Sequence, residues 1–78
     1  MEKILNILNA ENIAFEDLFV CVQEIKDNGN VFILKVDGES NINTIMIMFP
    51  NSDKEMIRYD NADLKEAMIM ALKNYSQL

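Results

Sequence analysis

The 78-residue chain carries thirteen acidic and seven basic side chains, half of its residues are apolar, and its formal net charge is −6. A chain of this length forms one domain, residues 1–78, that buries only about 60% of its unfolded surface; its composition suits a globular domain and argues against a disordered one. The negative balance opposes binding to a nucleic-acid backbone, whose affinity comes mainly from Lys and Arg contacts, and it suits a partner with a basic protein surface.

Residues 2–11 fit an amphipathic helix, with Ile4, Ile7, Leu8 and Glu11 at spacing i, i+3, i+4, i+7. Asn12 is the expected helix stop because Asn tolerates the left-handed conformation. Residues 13–17 then form a connector with room for one further helical turn. The apolar run broken by Asn6, Asn9 and Glu11 does not read as a signal peptide.

Two runs rich in β-branched and aromatic residues, 18–26 and 31–37, flank Asn28-Gly29. That dipeptide suits a two-residue type I′ turn, in which both positions need φ > 0. The expectation is therefore a central β-hairpin. Cys21, the one cysteine, falls inside its first strand as a small buried hydrophobe. With no disulfide framework, a reducing cytoplasm is the expected compartment.

Residues 37–41, Asp-Gly-Glu-Ser-Asn, are a run of turn formers. An apolar strand is expected over 44–49, ended by Pro50, and a short fourth strand over 55–59. The last element is the clearest helix. Asp60 or Asn61 is its expected cap, Asp63 lies in its first turn, and Leu64, Ala67, Met68, Ala71, Leu72 and Tyr75 form one broad apolar face. The order α-β-β-β-β-α predicts an antiparallel meander of three to four strands with N- and C-terminal helices, packed as a two-layer sandwich. In its core, Ile33 or Leu34 is expected to meet both helices.

The residues offer little chemistry. There is no histidine, the commonest general base and metal ligand. Gly29 and Gly38 are isolated turn glycines rather than a phosphate-cradling loop, and the 37–41 turn lacks the full calcium-loop pattern. No catalytic residue, cofactor or metal is expected, and no run approaches the ~20 apolar residues of a membrane span.

Two surface features point instead to protein binding. In a meander, alternate strand ends meet at one edge, which gathers Glu16, Asp17, Asp37, Glu39, Asp60 and Asp63 with Lys65 as the one nearby cation. The bland account is solvated turns and caps; the functional one is an acidic patch facing a basic groove. The second feature is an apolar surplus. The strands are apolar on both sides, so Met46, Met48, Ile69 and Met70 form an expected surface for a partner or a dimer mate.

Helix, three strands, helix is also the layout of the double-stranded RNA-binding domain. The resemblance is one of element order. The basic cluster of that family at the start of its last helix is replaced here by Asp60-Asn61-Ala62-Asp63-Leu64-Lys65-Glu66, so RNA binding is not expected.

Residues 1–9 as a first helix, the Asn28-Gly29 hairpin and the acidic junction Tyr59-Asp60-Asn61-Ala62-Asp63 together resemble the small acidic phage proteins that inhibit CRISPR nucleases. The resemblance spans nearly the whole layout and rests on no diagnostic motif. It implies a non-enzymatic inhibitor in the host cytoplasm, with carboxylates set against a basic groove of a defence nuclease complex. An antitoxin or immunity protein acting on a basic toxin would use the same edge. A homodimeric accessory module would use the Met-rich sheet face instead.

Overall fold

The computed structural model describes residues 2–78, which form three helices and one three-stranded antiparallel sheet. Helix α1 spans Glu2–Leu8 and buries Ile4 and Leu8. It is shorter than its periodicity predicts. Asn9 N–H still donates to Leu5 at 3.0 Å, but Ala10 N–H turns to Ile7 at 3.2 Å, a three-residue closure that ends the helix before Glu11.

The largest departure from expectation lies at 18–26. That stretch is not a strand but part of helix α2, Phe15–Asp27, which buries Leu18, Cys21 and Ile25 on one face. Glu16 and Asp17 occupy its first turn and Lys26 its last, the charge order a helix dipole favours. Asp17 also reaches back to accept from Ala14 N–H at 3.4 Å. Asn28-Gly29 therefore closes a helix and not a hairpin. Asn28 has φ −83°, and only Gly29 takes a positive φ, +81°. Asn30 N–H donates to Ile25 carbonyl at 3.1 Å and Gly29 N–H to Lys26 carbonyl at 2.9 Å. These two bonds are the Schellman closure, in which glycine supplies the left-handed residue.

Strands β1 (Val31–Lys35), β2 (Asn43–Met48) and β3 (Ile57–Asn61) follow in spatial order β1-β2-β3. The register pairs Ile33 with Met46 and Met46 with Arg58, and likewise Leu34 with Ile45 and Ile45 with Tyr59. The sheet has three strands and not four because the run at 18–26, expected as the first strand, is helix; the strand expected over 55–59 is β3, which starts two residues later. Helix α3, Leu64–Ser76, is capped by Asp63 itself, whose carboxylate accepts from Glu66 N–H at 3.0 Å. Neither Asp60 nor Asn61 is the cap; both still belong to β3.

Alternation divides the sheet by face. Ile45, Ile47 and Ile57 are buried and join the core with Leu18, Cys21 and Ile25 of α2 and with Met68, Ala71 and Leu72 of α3. Helix α2 lies against β1, α3 against β2 and β3, and α1 against the other two helices. The expected centre, Ile33 or Leu34, is displaced by one strand. Ile33 points away from the helices and Leu34 is 36% exposed at the sheet edge, so β2 carries the central aliphatic residues.

A single hydrogen-bonded cluster ties the two long helices together. Tyr75 of α3 is buried, its ring stacks on Phe49 at 5.9 Å, and its hydroxyl accepts from the side-chain amides of Asn28 at 3.1 Å and Asn30 at 3.0 Å. At the other end, Lys65 of α3 stands 5.7 Å over the ring of Phe15 at the start of α2. The two helices therefore run in the same direction, starting together and finishing together.

Candidate interaction surface

The sheet face turned away from the helices is built by residues of alternate register. Val31 pairs with Met48, Ile33 with Met46, and Lys35 with Thr44. Across β2, Met46 pairs with Arg58 and Thr44 with Asp60. The result is an apolar half made by Val31, Ile33, Met46 and Met48, beside a polar half made by Lys35, Thr44, Arg58 and Asp60. Val31 and Met48 are 40% and 39% exposed, while Ile33 and Met46 are half-buried by their neighbours. Met56, next to β3, extends the exposed apolar surface.

The polar half is internally fixed. Thr44 hydroxyl donates to Asp60 at 2.6 Å, and Arg58 donates to the same carboxylate through Nε at 3.2 Å and Nη2 at 3.4 Å. The Thr44 bond first, and the Arg58 guanidinium second, hold the Asp60 carboxyl below its ordinary range. Lys35 pairs with Asp37 at 3.7 Å at the end of β1.

The four residues expected to form one apolar surface are divided. Met46 and Met48 belong to the open sheet face. Ile69 and Met70 lie on α3, where Ile69 is partly buried against the core and Met70 borders a shallow recess with Tyr59 and Lys73.

The six carboxylates are distributed over one end of the molecule. The β1–β2 connection carries Asp37 and Glu39; Asp60 and Asp63 stand where β3 passes into α3; Glu16 and Asp17 open α2, which starts beside α3. Four of them have local duties. Asp17 and Asp63 serve helix starts, Asp37 accepts from Glu39 N–H at 2.9 Å, and Asp60 holds Thr44 and Arg58. Among the described residues, no group of three or more His, Cys, Asp or Glu is placed to hold a metal ion.

The mistaken strand also hid an exposed feature. Because 18–26 is helical, Phe19 and Val20 project from α2 on the side opposite the core and line a groove of about 460 Å³ with Lys3, Glu16 and Gln23. The spacing Leu18, Cys21, Val22, Ile25 was the available signal, since it marks the buried stripe and leaves Phe19 and Val20 outside. Cys21 is fully buried. Burial first, then the negative charges of Glu24 and Asp17, push its thiol up to about 11, so it stays protonated and poorly nucleophilic.

Among the described residues, no helix is long and apolar enough to cross a membrane. Compared with protein-family models, with characterised proteins and with solved structures, the chain matches none of them.

Proposed function

We propose that this chain is a non-enzymatic protein-binding module, a two-layer sandwich whose helices cover one side of the sheet and whose other side receives a partner protein in the cytoplasm. The observation that supports this is the open row Val31–Met48 and Ile33–Met46. An exposed apolar patch flanked on one side by a fixed set of polar side chains suits a binding surface, in which apolar anchors adjoin polar groups. Methionine adapts to irregular partner surfaces because its side chain is unbranched and polarizable.

The acidic end assists from the side. Charges at a rim speed encounter with an oppositely charged surface, whereas buried apolar anchors set the rate of dissociation. A partner with a basic rim is the best match, as an inhibitor of a nuclease complex or a toxin would require. The four structural aspartates make this end a secondary element of the reading and the sheet face its primary one.

The test is affinity capture from the source cells, followed by binding measured on the captured protein. Met46→Lys with Met48→Lys should accelerate dissociation at least tenfold while the circular dichroism spectrum is retained. Asp37→Lys with Glu39→Lys should slow association at low salt and leave dissociation unchanged. A captured partner whose dissociation ignores the methionine substitutions would refute the sheet face as the docking surface.

A further inference from the structure

The two edges of the sheet are unlike. The β3 edge carries Arg58 and Asp60, charges of the kind that discourage pairing with another strand. The β1 edge reads Val31-Phe32-Ile33-Leu34-Lys35, with no proline and with one charge, at its end. β1 pairs on one side only, with β2. Its free side leaves alternate backbone N–H and C=O groups open to a further strand.

The side chains describe what that strand must be. Leu34 lies on the helix-covered face, in line with Ile45, yet it is 36% exposed because nothing flanks it at the edge. Phe32, two residues away on the same face, is half-buried. A strand that covers both must offer two apolar residues at a spacing of two on that face. It must also offer an apolar residue opposite Ile33 on the other face, and no carboxylate beside Lys35 is needed because Asp37 already pairs with it.

We propose that the occupant is a second copy of this chain, paired through β1 in antiparallel register about a twofold axis at Ile33. In that register Ile33 meets Ile33 of the mate, Phe32 meets Leu34 twice, and Val31 is covered by the aliphatic stem of the mate's Lys35. Whichever alternate set of backbone groups points outward, the antiparallel register is satisfied, since a twofold at Ile33 can fall on either a hydrogen-bonded or a non-hydrogen-bonded pair. Charge favours the same choice. Residues 29–36 contain no acidic side chain in a chain of net charge −6, so two copies approach here without carboxylates opposed. The twofold closes at two chains, because each copy has one β1 edge to give.

Pairing makes one six-stranded sheet and joins the two open faces across the axis. It is a separate claim from the docking of a partner on Met46 and Met48, and separate substitutions test it. Sedimentation and light scattering over a concentration series should give the two-chain mass for the natural protein. Ile33→Lys and Ile33→Glu each place like charges against each other at the axis and should each give the one-chain mass. An equimolar mixture of the two should recover the two-chain mass. Ile33→Cys, a smaller change, should form an intermolecular disulfide on mild oxidation, because directly opposed strand residues lie within about 4.5–5.5 Å between Cα atoms; Met48→Cys should not. A one-chain mass for the natural protein overturns the proposal. So does cross-linking at Met48→Cys without cross-linking at Ile33→Cys, or assembly that continues beyond two chains.

Discussion

Asn30 donates its side-chain amide to the hydroxyl of Tyr75 at 3.0 Å, joining the residue just past α2 to the last turn of α3. Asn28 donates to the same oxygen at 3.1 Å, so one phenol closes two helices through residues 45 and 47 positions away in sequence. The ring below it stacks on Phe49, which leads out of β2. A polar bond thus sits at the border of the apolar core and fixes the relative position of three elements.

Removing that hydroxyl should be costly. Tyr75→Phe keeps the stacked ring and leaves two amides short of an acceptor, a loss of about 1–3 kcal/mol for part-buried groups. In a domain of this size each kcal/mol lowers the melting temperature by roughly 4–8 °C. Asn30→Ala on the Tyr75→Phe background should cost less than on the natural background. Full additivity in that double-mutant cycle would show that the bond contributes nothing to stability.

Gly29 gives a second prediction, because its role differs from the one the Asn-Gly pair announces. A Cβ added there would meet Asn51 Nδ2 at 3.7 Å, an ordinary contact, so space is not the obstacle. The positive φ is. Gly29→Ala should destabilise by about 1–2 kcal/mol, the cost of left-handed backbone for an L-residue, and Gly29→Asn by less. Hydrogen exchange should locate the loss at the end of α2, at the amides of Gly29 and Asn30. Loss confined to the β1–β2 amides would contradict the helix cap.

Asp60 supplies a pH signature. Its carboxyl titrates below the ordinary value because Thr44 donates to it and Arg58 stands beside it. A depressed folded pKa means that the contribution to stability is complete above the unfolded value, about 3.9, and is lost as pH falls through the folded one. Thr44→Val should raise the Asp60 pKa toward the ordinary range and flatten the acid limb of the stability curve. A carboxyl carbon titration by NMR that leaves Asp60 unchanged in Thr44→Val would assign the shift to Arg58 alone.

Much of the fold is legible in the chain. The α3 stripe from Leu64 to Tyr75 and the strands near 31–35 and 43–48 follow from apolar spacing and from turn residues placed between them. The failure at 18–26 has a specific origin. Leu18-Phe19-Val20-Cys21-Val22 has the composition of a strand, yet Leu18, Cys21 and Ile25 also recur at helical spacing. Packing against β1 and α1 decided between two patterns that the same residues support. Asn-Gly could not arbitrate, because a left-handed glycine ends helices as readily as it turns hairpins. The loss of that strand moved the core from Ile33 and Leu34 to Ile45 and Ile47, and it left β1 as an edge. The acidic end does not depend on whether residues 18–26 are strand or helix. Helix and strand run the same way along the sheet, so Glu16 and Asp17 stand at the same end in either account.

The common direction of α2 and α3 has an electrostatic consequence for that end. Each helix start presents about half a positive charge from its unpaired N–H groups. Glu16 and Asp17 lie in the first turn of α2 and Asp63 caps α3, with Lys65 over Phe15 between the two starts. The far field of the acidic end is therefore weaker than its inventory of side chains implies, and falls away faster with distance. At the opposite end the two helix finishes meet at Tyr75, Asn28 and Asn30, and their last turns carry Lys26, Asp27 and Lys73. The molecule is a smaller dipole than its side chains alone draw, which lowers, without removing, the gain in association rate that the acidic end can give.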